Sequence, residues 1–170
     1  YPIIIFPSLS LRSDMSFAAL MSGICLANAG LGAVHGLAGT IGALHGIPHG
    51  VVCGTLMAAA NKLNVRELRR LSRAGSPTGE FSASGISAYL EKYAILGRIF
   101  ADTSGRNDDW YIDFFIDYLH AVTYRLSIPR LGSYGLEKED LQEIVNQSDV
   151  KNNPVKLADD HLTEILNDRL

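Results

Sequence analysis

Between Asp14 and Lys62 the chain has no Asp, Glu, Lys or Arg, which leaves 47 consecutive residues without a formal charge. The rest of the 170 residues hold all 15 Lys+Arg and 18 Asp+Glu, for a net charge of −3. The balance is mildly acidic with no basic cluster, which argues against nucleic acid as a partner. Cysteine is scarce: Cys25 and Cys53 are too few for a disulfide framework. They read as reduced, buried and inert thiols of a cytoplasmic protein. Long hydrophobic runs are also missing. The charge-free stretch is long enough to span a bilayer, but nine glycines, three histidines, Asn28 and Pro48 interrupt it. It reads as a buried core hairpin rather than a membrane span. The opening Tyr1-Pro2-Ile3-Ile4-Ile5-Phe6 has no initiator Met and no basic flank. It reads as the interior of a longer chain, not as a signal peptide.

What is present is apolar enough for a core. Hydrophobic residues make up 47% of a length suited to one ordinary domain. Residues 1–13 read as irregular. Asp14 is the expected cap of a helix from about Met15 to Asn28, which Ala29-Gly30-Leu31-Gly32 ends. A second helix runs from Ala33 to about His45. Gly46-Ile47-Pro48 breaks the chain, and Pro48 suits the first turn of a third helix ending near Leu63. Val65, Leu68 and Leu71 mark a short basic helix, and residues 75–79 a loop. Ile86, Leu90, Tyr93, Gly97 and Phe100 recur at helical spacing. Asn107 or Asp108 opens a longer helix with Phe115, Tyr118, Leu119, Val122 and Leu126 on one face. Glu137–Val145 and Asp159–Leu166 are short and amphipathic. No convincing strand alternation appears beyond Ile3–Phe6. The expected fold is all-α, a multi-helix bundle of about seven helices.

Glycine is concentrated where charge is absent. Gly32, Gly36 and Gly39, then Gly42, Gly46, Gly50 and Gly54, recur at intervals of three and four. Such spacing leaves helix faces that another backbone can approach, at a cost of about 1 kcal/mol per glycine relative to alanine. Three of the five histidines, His35, His45 and His49, share this stretch. A break at Gly46-Ile47-Pro48 lets His35 and His49 converge from two helices, an arrangement suited to metal ligation. Hydrogen-bonded core histidines fit the same pattern. Two imidazoles do not complete a divalent site, and any carboxylate ligand has to come from elsewhere. His120, one position off the apolar face of its helix, and His161, expected at the surface, have no assigned role. Asp108 and Asp109 read as helix-capping acids. Trp110, Tyr111, Phe114 and Phe115 read as core.

The run Asn28-Ala29-Gly30-Leu31-Gly32-Ala33-Val34-His35-Gly36, followed by Pro48-His49-Gly50, resembles the signature of the iron-containing alcohol dehydrogenases. Tyr93-Ala94-Ile95-Leu96-Gly97, Ile128-Pro129-Arg130-Leu131 with Gly135, and Asn153-Pro154 extend the likeness over roughly residues 14–170. The resemblance implies a helical C-terminal, metal-binding domain, 14–170, of an enzyme whose N-terminal α/β domain binds NAD or NADP. It implies that His35 and His49 are two of four metal ligands, an Asp and three His. The metal, Fe²⁺ or alternatively Zn²⁺, would polarise an alcohol oxygen while hydride passes to the nicotinamide.

This sequence departs from the family pattern in three ways. The Asp and His that precede the N-A-G run in the family are absent, as is the glycine-rich nucleotide loop. Gly39 stands where many members have a second histidine. His45 matches no family ligand position. The chain is therefore expected to be the C-terminal part of a longer enzyme and inactive by itself. The expected partners are a small alcohol or aldehyde and further copies of the chain, with no nucleic acid and no membrane. The alternative is a non-catalytic scaffold or oligomerisation module.

Overall fold

The structure, a computed structural model, describes residues 8–74 and 83–170. Contacts divide it into two units, one ending at Leu31 and one spanning Gly32–Leu170. The first contains helix α1, Leu9–Ala29. It starts well before Met15, because Ser8 rather than Asp14 caps it: the Ser8 hydroxyl accepts the Leu11 N–H at 3.2 Å. No residue of α1 is buried, and Met15, Phe17 and Leu20 are all more than 60% exposed. Cys25 is likewise exposed, against the expectation of a buried thiol.

The second unit holds six helices: α2 Ala33–His45, α3 His49–Ala74, α4 Ala83–Phe100, α5 Asp108–Arg125, α6 Leu141–Gln147 and α7 Asp159–Asp168. Two 3₁₀ turns, Leu131–Tyr134 and Lys138–Asp140, join α5 to α6. The architecture is all-α, as expected, with seven α-helices and no strand among the described residues. The proposed strand Ile3–Phe6 and the loop 75–79 fall outside those residues.

Helix α3 organises this unit. It packs on α2, α4, α5 and α7. The expected break near Leu63 does not occur. The basic segment Val65–Leu71 is the second half of the same helix, because nothing between Asn61 and Val65 breaks a helix. Val52, Leu56, Leu63 and Leu68 are buried along it, and Ala58, Ala59 and Ala60 keep it slim where neighbours crowd. Leu37 and Ile41 of α2, Ile144 of α6, and Ile165 and Leu166 of α7 complete the best-sealed part of the core. Asn107 caps α5, accepting the Trp110 N–H at 2.9 Å. The buried face of α5 is Tyr111, Ile112, Phe115, Ile116 and Thr123, rotated from the expected one. The rotation follows from its position, since α5 meets both α3 and α4 and must bury two stripes.

The far half of α3 carries a buried carboxylate. Glu67 accepts hydrogen bonds from Arg70 at 2.7 Å and Arg66 at 3.2 Å, and lies 3.8 Å from the His161 ring. His161 is therefore half-buried against Glu67, not free at the surface. Burial pushes the Glu67 carboxyl up, but the hydrogen bonds from Arg70 and Arg66 together with the nearby charges of His161 and Arg70 outweigh it and hold it below its ordinary value of 4.5. With the folded-state value lower than the unfolded one, the stabilisation is complete above about pH 4.5 and drains away as pH falls through the folded-state value.

The glycine stripe has two kinds of member. A Cβ on Gly36 would lie 2.2 Å from the Asp149 carbonyl oxygen, so α2 and the chain leaving α6 touch backbone to backbone. Gly39 faces open space, with nothing within 4 Å of a Cβ.

Two sets of measurements follow. Chemical denaturation of Gly36→Ala should show a loss of about 1–3 kcal/mol, and Gly39→Ala should gain up to about 1 kcal/mol. Glu67→Gln should cost about 1–3 kcal/mol at pH 7 and flatten the loss of stability expected of the wild type below about pH 4.5.

Candidate metal centre

The centre depends on how α2 turns into α3. Gly46 follows the last residue of α2 in the left-handed conformation, φ +64°, and its N–H closes on the Gly42 carbonyl. A residue with a Cβ adopts this conformation reluctantly, so glycine here sets where α2 ends. Ile47 is buried and pins the turn to the core. The Pro48 carbonyl accepts the N–H groups of Val51 and Val52 at 2.9 and 3.2 Å, which starts α3 at His49. Pro48 stands immediately before the helix, where its missing donor costs nothing.

The start of α2 is held from a distance. The Asn153 side-chain oxygen accepts the Ala33 N–H at 3.2 Å, two residues before His35. Asn153 also exchanges hydrogen bonds with Asn64 of α3, and its amide donates to the Val155 carbonyl at 2.7 Å. Each donor and acceptor of this amide is used. One side chain thus serves as cap for α2 and as tie between α2 and α3.

These constraints bring His35 and His49 together. Their ring centroids are 5.5 Å apart and inclined at 46°. A third donor joins them. Cys53 lies one turn after His49 on α3, with its sulfur 3.4 Å from His49 Nε2. The donor atoms of His35, His49 and Cys53 all lie within 4.8 Å of one another. Among the described residues, these are the metal-type donors that cluster so closely. His35 and Cys53 are half-buried and His49 is exposed, so the cluster sits at the rim of the bundle. Burial pushes the Cys53 thiol above its ordinary value. Two imidazoles and a thiol at these separations suit a borderline divalent ion such as Fe²⁺ or Zn²⁺.

The structure places Cys53 beside the two histidines, a position that the reading of both cysteines as inert thiols does not anticipate. The signal was present, since His49 and Cys53 are four residues apart and therefore neighbours on one helix face. His45 ends α2 and stays outside the cluster. His120 is also outside it, on α5, with a buried Nε2 that has no hydrogen-bond partner among the described residues. Asp109 pairs with Arg69 at 2.9 Å, and Asp108 with Arg98. Both acids lie in the first turn of α5, behind the Asn107 cap. Tyr111 and Phe115 are buried, and Trp110 stacks on Phe114, in keeping with a core role. A cleft of about 810 Å³ lies along α3, α5 and α7 and is lined by none of the three donors.

Residues 7–170 match the Fe-containing alcohol dehydrogenase family, C-terminal. Over 64 residues the chain is 41% identical to alcohol dehydrogenase 4 of Schizosaccharomyces pombe, a stretch equal to 38% of this chain and 15% of that protein. Over 58 residues it is 36% identical to 1,3-propanediol dehydrogenase of Citrobacter freundii, which is 34% of this chain and 15% of the relative. Among solved structures, an alcohol dehydrogenase from Oenococcus oeni superposes with a TM-score of 0.75 at 23% identity. A 1,3-propanediol oxidoreductase superposes at 0.73 and 22%. Each superposition covers 96% of this chain and 39% of the other, so the chain has the fold of well under half of those proteins.

Replacing the shared cap tests how the centre is supported. Asn153→Ala strands the Ala33 N–H and the Asn64 amide together. Thermal denaturation should show a loss of about 1–3 kcal/mol, or roughly 2–4 °C for each kcal/mol at this chain length.

Proposed function

The chain belongs to the iron-containing alcohol dehydrogenase family, through that family's C-terminal domain, and on this premise we propose that it is the helical, metal-binding part of an oxidoreductase. The reaction is the interconversion of an alcohol with an aldehyde or ketone, using NAD or NADP at a divalent metal. The observation that carries this reading is the convergence of His35 and His49, 14 residues apart in sequence, to a ring separation of 5.5 Å. The names of the relatives, alcohol dehydrogenase and 1,3-propanediol dehydrogenase, support a small alcohol or diol as substrate.

The contribution of this chain is to position donors. The Gly46-Ile47-Pro48 turn sets the separation of the two imidazoles, and the Asn153 bonds fix the direction of α2 behind His35. Rigid helices hold ligands closer to productive geometry than loops do. Partial burial of His35 thins the water around its ring, which strengthens its interaction with a cation. The bound ion, Fe²⁺ or alternatively Zn²⁺, supplies Lewis-acid polarisation of the substrate oxygen.

The 170 residues contain neither the family's upstream Asp and His nor its glycine-rich nucleotide loop. A protein made of them alone is expected to bind metal and to catalyse nothing. Among the described residues no single helix is long and apolar enough to cross a membrane. With two free thiols, the cytoplasm is the compartment we assign. A second reading, a non-catalytic scaffold or oligomerisation module, is favoured by one observation: the apolar side chains of α1 are exposed along its length. The same surface supports self-association into a homo-oligomer.

Isothermal calorimetry with Fe²⁺ under nitrogen, and with Zn²⁺, tests the ligand assignment. His35→Ala and His49→Ala should each weaken binding by at least about 10-fold. Wild-type affinity in both variants would overturn it.

A further inference from the structure

We propose that Cys53 is a third metal ligand, so that His35, His49 and Cys53 form a two-imidazole, one-thiolate site for Zn²⁺-like ions within this chain. The proposal rests on the assignment of His35 and His49 above and adds the thiolate.

The geometry agrees with a shared ion. In a tetrahedral zinc site, bonds of about 2.3 Å to sulfur and about 2.0–2.1 Å to nitrogen place the two donors about 3.5 Å apart. Cys53 sulfur and His49 Nε2 are 3.4 Å apart. Both residues project from consecutive turns of α3, so the helix itself maintains this edge and little ordering is left for the ion to impose. His35 supplies the third corner from α2, its donor within 4.8 Å of both others. His49 is exposed, so a further ligand can reach the cluster from solvent. Three protein ligands and one open position is the pattern of a zinc centre that binds a further molecule.

Charge points the same way. Two neutral imidazoles leave a divalent ion at +2, and no Asp or Glu lies between Met15 and Asn61. Ionised Cys53 supplies an anionic donor inside that stretch, its proton passing to solvent as the ion binds. A soft thiolate also changes the ranking of metals. It raises affinity for Zn²⁺ and Co²⁺ more than for Fe²⁺, beyond the ordinary order of the divalent series. The competing account of the 3.4 Å contact is a plain hydrogen bond between the thiol and the imidazole.

Co²⁺ distinguishes the two, because a cobalt–thiolate bond adds a near-ultraviolet charge-transfer band to the visible bands that any tetrahedral nitrogen or sulfur site gives. The 170-residue chain, kept reduced by a phosphine, is titrated with Co²⁺ and then with Zn²⁺ in competition. The expected result is both sets of bands in the wild type and in Cys25→Ser. Cys53→Ser should keep visible bands, lose the near-ultraviolet band and bind Zn²⁺ at least about 10-fold more weakly. Circular dichroism confirms that each variant is folded. Visible bands without the near-ultraviolet band in the wild type would overturn the role of Cys53 and leave the histidine pair standing. A near-ultraviolet band that persists in Cys53→Ser would overturn it equally. No Co²⁺ spectrum at all would sink both the thiolate and the histidine assignment.

Discussion

The hairpin of α2 and α3 is the constraint on which the rest depends. Three consecutive residues impose it, each for a different reason. Gly46 takes a left-handed backbone, Ile47 drops into the core, and the Pro48 carbonyl receives the first amides of α3. Without this reversal, His35 and His49 would lie nearly four turns apart on one helix, about 21 Å along its axis. With it they face each other across 5.5 Å. The reversal also lets α2 lie along α3, so that Leu37 and Ile41 are sealed against Val52 and Leu56 in one core. The turn that packs α2 on α3 is therefore also the turn that pairs the two imidazoles.

Helix α3 changes character midway, and the two halves do different work. From His49 to Asn61 it is uncharged, and its outward positions carry the metal-type donors. From Lys62 onward it carries charge, and two of its arginines tie it to α5 and α7: Arg66 grips Glu164 through both nitrogens at 2.6 and 2.8 Å, and Arg69 reaches Asp109 and Asp113. Exposed pairs such as Arg66–Glu164 contribute only about 0–1 kcal/mol each. Glu67 matters more, because removing its partners would leave a buried charge alone. The charged half anchors α3, and the uncharged half is left free of competing ions near the histidines.

Much of this could be read from residue order, and each failure has its own physical cause. The limits of α2 and the start of α5 were legible because Gly46, Pro48 and Asn107 act locally. The continuity of α3 was missed because a change from uncharged to basic composition looks like a boundary, yet charge does not interrupt backbone hydrogen bonds. The start of α1 was misplaced because Asp14 and Ser8 are equally good caps on paper. The buried face of α5 was rotated, and the surroundings of Glu67 were invisible, because both depend on helices distant in sequence. The histidine pair was legible from its spacing and the intervening break. The place of Cys53 beside the pair depends on His49 one helical turn away, a neighbour that the number of cysteines does not reveal.

The glycines of α2 show how the site and its stability are coupled. Gly36, Gly39 and Gly42 all lie inside a helix of 13 residues. At about 1 kcal/mol each relative to alanine, they would leave an isolated α2 unfolded. Only Gly36 has a steric reason, the Asp149 carbonyl against its backbone. The helix is held instead from outside, by the sealed side chains of Leu37, Ala38 and Ile41 and by the Asn153 cap at its start. An ion bridging His35 to α3 would add a further tie. Any ligand that binds only the folded hairpin stabilises it in proportion to its occupancy. A helix weak in itself and strong only when docked is the element most responsive to such a tie, and His35 is placed on that helix.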